Sequence, residues 1–218
     1  MEYPVRTVHQ SWAVIHTWLD HNAPAVRRAL NAPADEATLS DLERAVGREL
    51  PEAFRASYLI HDGAAPVSGP IGGVPLLTAA GVTNEWKSLK KQSPDLPPPS
   101  KPVSARPGAI REVGWSAGWV PFAGPDEQNY IALDFDPGPT GAPGQVITFG
   151  ADQYIYKTPR YVLAPSFGAF MNLLAELFAS GEVEPVPEEP ATYLRLARRN
   201  TNGALCGLLN GAHLLVSP

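Results

Sequence analysis

A short Gly-Trp-Ser-Ala-Gly stretch at residues 114–118 fits the G-x-S-x-G pattern that surrounds the nucleophilic serine of many hydrolases. That chemistry requires Ser116 on a tight turn between a strand and a helix, with a histidine and an acid later in the chain. Here residues 119–122 have the pattern of another strand, and Pro121 stands where a helix would have to continue. The only later histidine is His213. We therefore expect Ser116 to be structural, and a serine hydrolase using it is the remotest functional hypothesis.

Two carboxylates one residue apart, Asp134 and Asp136, suggest a second kind of chemistry. On a strand both would lie on the same face, where they could hold Mg²⁺. Asp126 and Glu127 are the nearest further acids before them. Aspartate is also common where a strand runs into a Pro-Gly turn, so we predict neither a metal site nor a cofactor here. We expect these four carboxylates to form an exposed acidic surface that binds a basic protein partner.

The third candidate is the adjacent pair His61 and Asp62, which is followed by Gly63. The pair suggests an acid–base dyad, but neighbouring residues on a helix do not face each other. Phe54, Tyr58 and His61 share one helix face, and Gly63 can adopt the left-handed conformation that ends the helix. We therefore predict a structural signature in which His61 faces the core and Asp62 hydrogen-bonds to the following loop. Replacing His61 with alanine should then lower stability.

The remaining histidines, the cysteine and the tryptophans point to contacts rather than to catalysis. His16 is expected to pair with Asp20 one turn further along its helix. Cys206 is the only cysteine, so neither an internal disulfide nor a thiolate metal cage can form. Most tryptophans are expected in the core. Trp18, at the edge of its helix stripe, and Trp86, before a lysine-rich turn, are predicted to be exposed anchors for a partner.

Composition narrows the functional classes. The chain has 218 residues, of which 44% are hydrophobic, enough for a real core, and 24 prolines, which indicate long irregular connections. Its net charge of −5 argues against a nucleic-acid partner. It shows no signal-peptide pattern and no apolar run near the ~18 residues that cross a bilayer. We expect a cytoplasmic monomer or homodimer without a membrane partner, and the frequent Arg, Ala and Pro suggest a bacterial source.

The elements that must position these residues run from helices to strands and back to a helix. Apolar residues at three- and four-residue steps predict helices over 5–22, 23–30, 38–47 with Thr38 as the cap, and 51–63, with one or two further turns in "TNEWKSLKK". Between 115 and 163, β-branched and aromatic runs predict a mainly antiparallel sheet of four to six strands. Ser166 then caps a C-terminal helix expected to pack on the sheet, and Gly181 ends it. The predicted fold class is α+β.

Three segments are predicted along the chain. Residues 1–36 form an N-terminal helical segment packed on the core, and 37–181 form an α+β domain with a proline-rich loop at 94–107. Residues 182–218 form an acidic linker, "EVEPVPEEP", and a C-terminal extension in which "ATYLRLARRN" has the pattern of a short basic helix. The apolar end of this extension needs a covering surface, either on the same domain or on a second subunit.

Six stretches occur in an order that resembles the SUKH superfamily, and in particular its fungal cell-wall assembly regulators of the Smi/Knr type. They are "WAVIHTWLDHNAPAVRRALNAPA", "LSDLERAVGRELPEAFRASYLIHDG", "GWVPFA", "NYIALDFDP", "GQVITFG" and "SFGAFMNLLAELFASGE". The likeness spans roughly residues 12–181 and covers neither the proline-rich loop nor the extension after Gly181.

The resemblance implies an α+β fold without known catalytic residues, and therefore a non-enzymatic protein-binding module. Bacterial members of the superfamily are commonly toxin-immunity proteins, whereas fungal members act as regulatory hubs in cell-wall synthesis. The first hypothesis is accordingly an immunity-type protein that binds and blocks a cognate toxin through its acidic surface. The alternative is a scaffold for cell-wall assembly and signalling that resembles the fungal branch.

Overall fold

The computed structural model describes residues 5–65, 74–93, 104–126, 129–150, 159–188 and 191–196. The helices in these ranges are α1 (Val8–Asn22), α2 (Pro24–Arg28), α3 (Glu36–Val46), α4 (Glu52–Tyr58), α5 (Ala79–Gln92) and α6 (Phe167–Ala179). The strands are β1 (Trp119–Asp126), β2 (Asn129–Asp134), β3 (Gln145–Gly150), β4 (Val162–Ala164), β5 (Val183–Glu188) and β6 (Ala191–Leu196). Helices, an antiparallel sheet and a further helix confirm the α+β prediction.

Two helix starts differ from those predicted because the capping side chains lie elsewhere. α1 begins at Val8 rather than Val5, since Thr7 accepts from the Gln10 N–H and the Gln10 side chain accepts from the Thr7 N–H, a capping box. α3 is capped by Asp35, whose carboxylate accepts from the backbone N–H of Thr38 at 2.7 Å. The prediction of Thr38 as the cap was wrong, and the helix starts a few residues earlier.

The helix α5 is longer than the one or two turns predicted from "TNEWKSLKK". It begins at Ala79 because its first N–H groups are satisfied: Thr78 accepts from Gly81, and Asp62 accepts from Ala79 at 2.6 Å. Val82 and Leu89 on this helix are buried, and α5 packs against β1 and α3.

The main sheet has the strand order β1-β2-β3-β4, and every pairing is antiparallel. In the central pair, Tyr130 lies opposite Phe149 and Leu133 opposite Val146. All six side chains of β2 are buried, so both faces of this strand are covered. One cover is the segment 104–118, whose Ala109 and Ile110 are buried.

The C-terminal helix α6 packs on the sheet, as predicted, and also along α1. An aromatic cluster joins α4, β1 and α6. Phe167 lies 5.0 Å from Phe54 and 5.3 Å from Phe122 between ring centroids, and Phe122 lies 5.6 Å from Phe170. Edge-to-face pairs of this kind add to the free energy of burying the rings. The cluster holds the two helices and the first strand in one core.

The chain after α6 was predicted to be a linker followed by a helix, and both predictions were wrong. Val183–Glu188 and Ala191–Leu196 form an antiparallel hairpin, β5–β6. Val183 and Leu194 are buried in the same hydrophobic core as the main domain. The proline-rich loop lies outside the described residues from 94 to 103. The segment boundaries at 36 and 181 stay predictions.

Candidate interaction surface

Ser116 lies in a turn directly before β1, not between a strand and a helix. Its hydroxyl donates to the Asp136 carboxylate and accepts from the backbone N–H of Gly118 at 3.1 Å. A serine nucleophile needs a base to take its proton. In the described part of the chain, the hydroxyl of Ser116 contacts no histidine. The structure thus gives Ser116 a role in shaping the turn.

Asp134 is fully buried, which contradicts the prediction that it belongs to an exposed acidic surface. One carboxylate oxygen accepts from the backbone N–H of Asp136 at 2.9 Å, and the other accepts from the Gln145 amide at 2.9 Å. The same amide also donates to the backbone carbonyl of Ala109. Burial raises the pKa of Asp134, although these hydrogen bonds act in the opposite direction. Asp134 fastens the β2–β3 connection to the segment that covers the sheet.

Asp136 remains partly exposed, but its charge is paired with Arg111. Partial burial raises the pKa of Asp136, but the hydrogen bonds from Ser116 and Arg111 outweigh that effect and hold the pKa below its usual value. The side chain of Asp126, and Glu127 altogether, lie outside the described residues. The structure therefore does not bring the four predicted carboxylates together as one surface patch.

The signature at His61, Asp62 and Gly63 is a structural junction, and each residue has a different partner. The Asp62 carboxylate accepts from the backbone N–H of Ala79 at the start of α5, seventeen residues further along the chain, whereas the sequence predicted a local hydrogen bond to the following loop. Gly63 has a φ of +70°, and a Cβ at this position would lie 2.6 Å from the backbone of Leu77. Only glycine satisfies both the left-handed conformation and this close approach.

His61 contacts His16 on α1, so the predicted pair of His16 with Asp20 is not formed. The two Nε2 atoms lie 2.8 Å apart, and Nδ1 of His61 lies 2.7 Å from the carbonyl oxygen of Asn31. A carbonyl only accepts, so Nδ1 of His61 carries a proton and its Nε2 accepts from the Nε2–H of His16. Asp20 instead pairs with Arg27. The helix pattern could not reveal this contact, because the two histidines are far apart in sequence.

Burial lowers the pKa of His16 to about 4, and the nearby charges of Arg27 and His61 act in the same direction, whereas Asp20 opposes them. Burial also lowers the pKa of His61, against the hydrogen bond to Asn31, which raises it. Both rings are therefore neutral at neutral pH. The edge of His61 also packs against the indole of Trp12, at 5.1 Å between ring centroids. These contacts join α1 to the turn after α4, which ends at Tyr58, earlier than the predicted helix 51–63.

Arg160 is a further buried residue that the sequence interpretation missed. Its guanidinium donates to the backbone carbonyls of Arg111, Val113 and Gly114, and lies 4.9 Å from the ring centroid of Trp119. It holds the segment 104–118 against the sheet. No local pattern singles out a buried arginine, because its partners are backbone carbonyls nearly fifty residues earlier.

Of the two predicted tryptophan anchors, Trp86 is buried, and the prediction that it is exposed was wrong. Its indole N–H donates to the carbonyl of Ala117 at 3.1 Å, and Lys90 lies over its ring. Trp18 is partly exposed and packs edge-on against Phe178 of α6, with ring centroids 5.1 Å apart. Trp18 is the candidate that the structure places at the surface.

Trp18 lies in an open groove between the C-terminal halves of α1 and α6, which we call the α1–α6 groove. Its volume is about 500 Å³. It is lined by Ala13, Val14, Thr17, Trp18, His21, Asn22, Phe178 and Ala179. The apolar side chains of this groove form the clearest candidate for an interaction surface in the described part of the chain.

Comparison with known proteins gives the family. The model of the SMI1 / KNR4 family (SUKH-1) matches residues 33–173. The chain belongs to the SMI1/KNR4 family. This confirms the resemblance to the SUKH superfamily and its fungal branch.

Three fungal relatives show the extent of the likeness. The KNR4/SMI1 homolog of Yarrowia lipolytica is 30% identical over 83% of this chain and 32% of its own length. The cell wall biosynthesis/cell cycle regulator smi1 of Schizosaccharomyces pombe is 32% identical over 80% of this chain and 37% of its own length. The cell wall assembly regulator SMI1 of Saccharomyces cerevisiae is 26% identical over 78% of this chain and 40% of its own length.

The chain thus spans between a third and two fifths of the length of these SMI1/KNR4 relatives. The names of the Schizosaccharomyces pombe and Saccharomyces cerevisiae relatives describe regulators. All three are fungal, so they lend no support to the bacterial source suggested by composition. Within the described ranges, no helix has the length and apolar character needed to cross a bilayer. The same ranges contain no group of three or more His, Cys, Asp or Glu residues arranged to hold a metal ion.

Proposed function

We propose that this chain is a non-enzymatic protein-binding module that regulates cell-wall assembly. The observation that carries the proposal is the likeness, over about four fifths of the chain, to proteins named as cell wall regulators. A regulator of this kind acts by binding other proteins. Cytoplasmic placement and a monomeric or dimeric state remain part of the proposal.

The geometry supports a binding role because the side chains that suggested catalysis hold the fold together. Ser116 and Asp136 shape one turn, and Asp134 is buried beneath it. His16 and His61 join α1 to the turn that follows α4. None of these groups lines the open pockets formed by the described residues, whereas a catalytic group has to face a cavity where a substrate can bind.

The immunity-type hypothesis loses part of its support. It required an exposed acidic surface to attract a basic toxin, but Asp134 is buried and Asp136 is paired with Arg111. Two of the relatives reported above are named as cell-wall regulators. None of the three is named as an immunity protein. Trp18 and Asp136 reach the surface and stay proposed contact residues.

A domain exchange tests the proposal. The region of the Saccharomyces cerevisiae regulator that this chain matches would be replaced by the chain, and growth would be scored on a cell-wall-perturbing dye. We expect the chimaera to restore growth relative to a strain in which that region is deleted. Failure to restore growth, with the chimaera present at normal abundance, would contradict the proposal.

Two variants of the chimaera serve as controls. Leu39→Asp places a charge at a fully buried position of α3 and should abolish the rescue by unfolding the domain. Ser116→Ala removes the only hydroxyl of the G-x-S-x-G stretch and should leave the rescue intact. Rescue by wild type but not by Ser116→Ala, at equal abundance, would favour the hydrolase hypothesis instead.

A further inference from the structure

The segment 203–216 is apolar and carries no charged side chain. Its polar side chains are Asn210 and His213 alone. Segments that stay unfolded in water are usually charged and poor in large apolar residues, and this one has the opposite composition. Leu205, Leu208, Leu209 and Ala212 recur at three- and four-residue steps, the spacing of one apolar helix face. Such a face needs a surface to cover it.

The β5–β6 hairpin returns the chain to the α1–α6 groove. In the strand register, Leu196 at the end of β6 lies opposite Val183 at the start of β5. Val183 follows Ala179, which lines the groove, by only four residues. The hairpin is anchored there, because Val183 and Leu194 are buried in the core and β6 contacts α2, the helix directly after α1. The chain therefore leaves β6 beside Val183, four residues after Ala179 of the groove.

The length of the intervening chain is sufficient. Ala204 comes eight positions after Leu196, and an extended chain spans up to about 3.3 Å per position, or roughly 26 Å. The groove runs along α1 from Ala13 to Asn22, about 14 Å at 1.5 Å per residue. The segment can thus reach either end of it.

The groove has the shape and chemistry for a helix of this kind. Ala13, Thr17 and Ala179 are small and exposed, so they allow a close approach, while Trp18 and Phe178 supply a large apolar floor. Apart from His21, which is exposed at one end, its lining side chains are uncharged at every pH. An uncharged apolar segment fits such a groove without leaving a charge unpaired.

We propose that the segment 203–216 binds in the α1–α6 groove of its own chain, with Leu205, Leu208 and Leu209 against Trp18 and Phe178. The binding itself does not rest on the proposed function in cell-wall assembly.

The single native cysteine makes the proposal testable by cross-linking, because Cys206 lies within the segment. Thr17→Cys puts a second thiol in the groove. Ser40→Cys is the matched control on α3, since both hydroxyls are exposed and each donates to the carbonyl four residues earlier in its helix. The full-length proteins would be treated with a short bis-maleimide and separated on a reducing gel.

We expect Thr17→Cys to form an internal cross-link, seen as a faster-migrating monomer, at least tenfold more completely than Ser40→Cys. A covalent dimer in its place would assign the groove to a second copy and overturn the proposal. Equal reaction of the two variants, or no internal cross-link in either, would overturn it as well. No partner is needed for this readout, so the result is independent of the domain exchange.

Fluorescence quenching provides a second measurement. Trp18 is partly exposed, whereas the other four tryptophans are at most 8% exposed, so a change in acrylamide quenching reports mainly on Trp18. Replacing both Leu208 and Leu209 with aspartate should release the segment and raise the quenching constant about twofold. Asn210→Asp, a charge in the same segment off the apolar face, is the control and should raise it much less. An unchanged constant in the double variant would overturn the proposal.

Discussion

At the scale of single residues, the geometry of the His16–His61 contact determines which ring nitrogens carry a proton. The carbonyl of Asn31 determines which nitrogen of His61 carries the proton, and this in turn makes His16 the donor. Protonating His61 on Nε2 would place two N–H groups opposite each other. Burial and the charge of Arg27 further disfavour protonation. The contact therefore stabilises the neutral form of both imidazole rings.

The lowered pKa of His16 predicts that the protein loses stability in mild acid. The unfolded chain binds a proton at about 6.5, whereas the folded chain binds it only near 4. Stability is therefore full above pH 6.5 and falls as the pH drops towards 4. Because the ring is only about half buried, we expect a loss of about 1 kcal/mol between pH 7 and pH 5. Urea unfolding at the two pH values measures it.

His16→Gln should make this part of the pH dependence smaller, while His9→Gln, an exposed histidine on the same helix, should leave it at the wild-type value. If the free energy of unfolding changed equally with pH in the two variants, the role assigned to the His16–His61 contact would be contradicted.

Gly63 and Gly47 form a matched pair for a second prediction. Both have a φ near +70°, at 70° and 72°, but a Cβ at Gly63 meets the Leu77 backbone, whereas a Cβ at Gly47 has nothing within 4 Å. Gly47→Ala should lower the free energy of unfolding by about 1 kcal/mol from the left-handed conformation alone. Gly63→Ala should cost about 3 kcal/mol or more, because the backbone must also shift. Thermal unfolding of both variants would show equal losses if the close approach at Gly63 were unimportant.

At the scale of elements, the β5–β6 hairpin shows why local pattern misled the prediction. Pro185 and Pro187 make "EVEPVPEEP" resemble a linker, yet proline is tolerated in an edge strand or a two-stranded hairpin. "ATYLRLARRN" has good helix formers, but Leu194 is fully buried as a strand residue. Pairing with a neighbouring strand and burial in the core outweighed local propensity.

Leu194→Ala tests whether the hairpin belongs to the folding unit. We expect it to lower the free energy of unfolding by about 2–4 kcal/mol, the usual cost of a large-to-small change at a fully buried site. Val186→Ala on β5 is partly exposed and should cost less than about 1 kcal/mol. Guanidinium unfolding gives both values. If both variants lost the same free energy of unfolding, the hairpin would not belong to the folding unit.

At the scale of the whole molecule, residues that suggested separate chemistries form one framework around the sheet. The segment 104–118 covers the sheet, and its turn is held by Ser116, Asp136 and Arg111. On the buried side it is held by Asp134, through Gln145, and by Arg160. The polar groups are engaged with one another or with backbone. In the part of the chain that the structure describes, the α1–α6 groove at Trp18 is the candidate interaction surface.

This arrangement predicts that Ser116 does not react as a nucleophile. A fluorophosphonate probe should fail to label the wild-type protein, just as it fails to label Ser116→Ala. The variant should lose about 1–2 kcal/mol of stability, because the Asp136 carboxylate and the Gly118 N–H each lose a partner. Labelling that disappears in Ser116→Ala would show an activated serine and contradict the structural role.

Much of the fold follows from local rules, and the sequence interpretation recovered it. Helix periodicity located α1, α3 and α6, and the turn residues and β-branched runs located the main sheet. The candidate site was recovered less well. Trp18 was identified from its place at the edge of a helix stripe, but Trp86 and Asp134 were assigned to the surface although both are buried.

The sequence by itself determined the class of fold and the family likeness, because periodicity, caps and turn residues act over a few positions. Only the tertiary structure decided which polar groups are buried, that His16 meets His61, and that residues 183–196 pair as strands. Those outcomes depend on contacts between positions far apart in the chain. Burial and long-range hydrogen bonding are properties of the packed molecule, and a local pattern does not contain them.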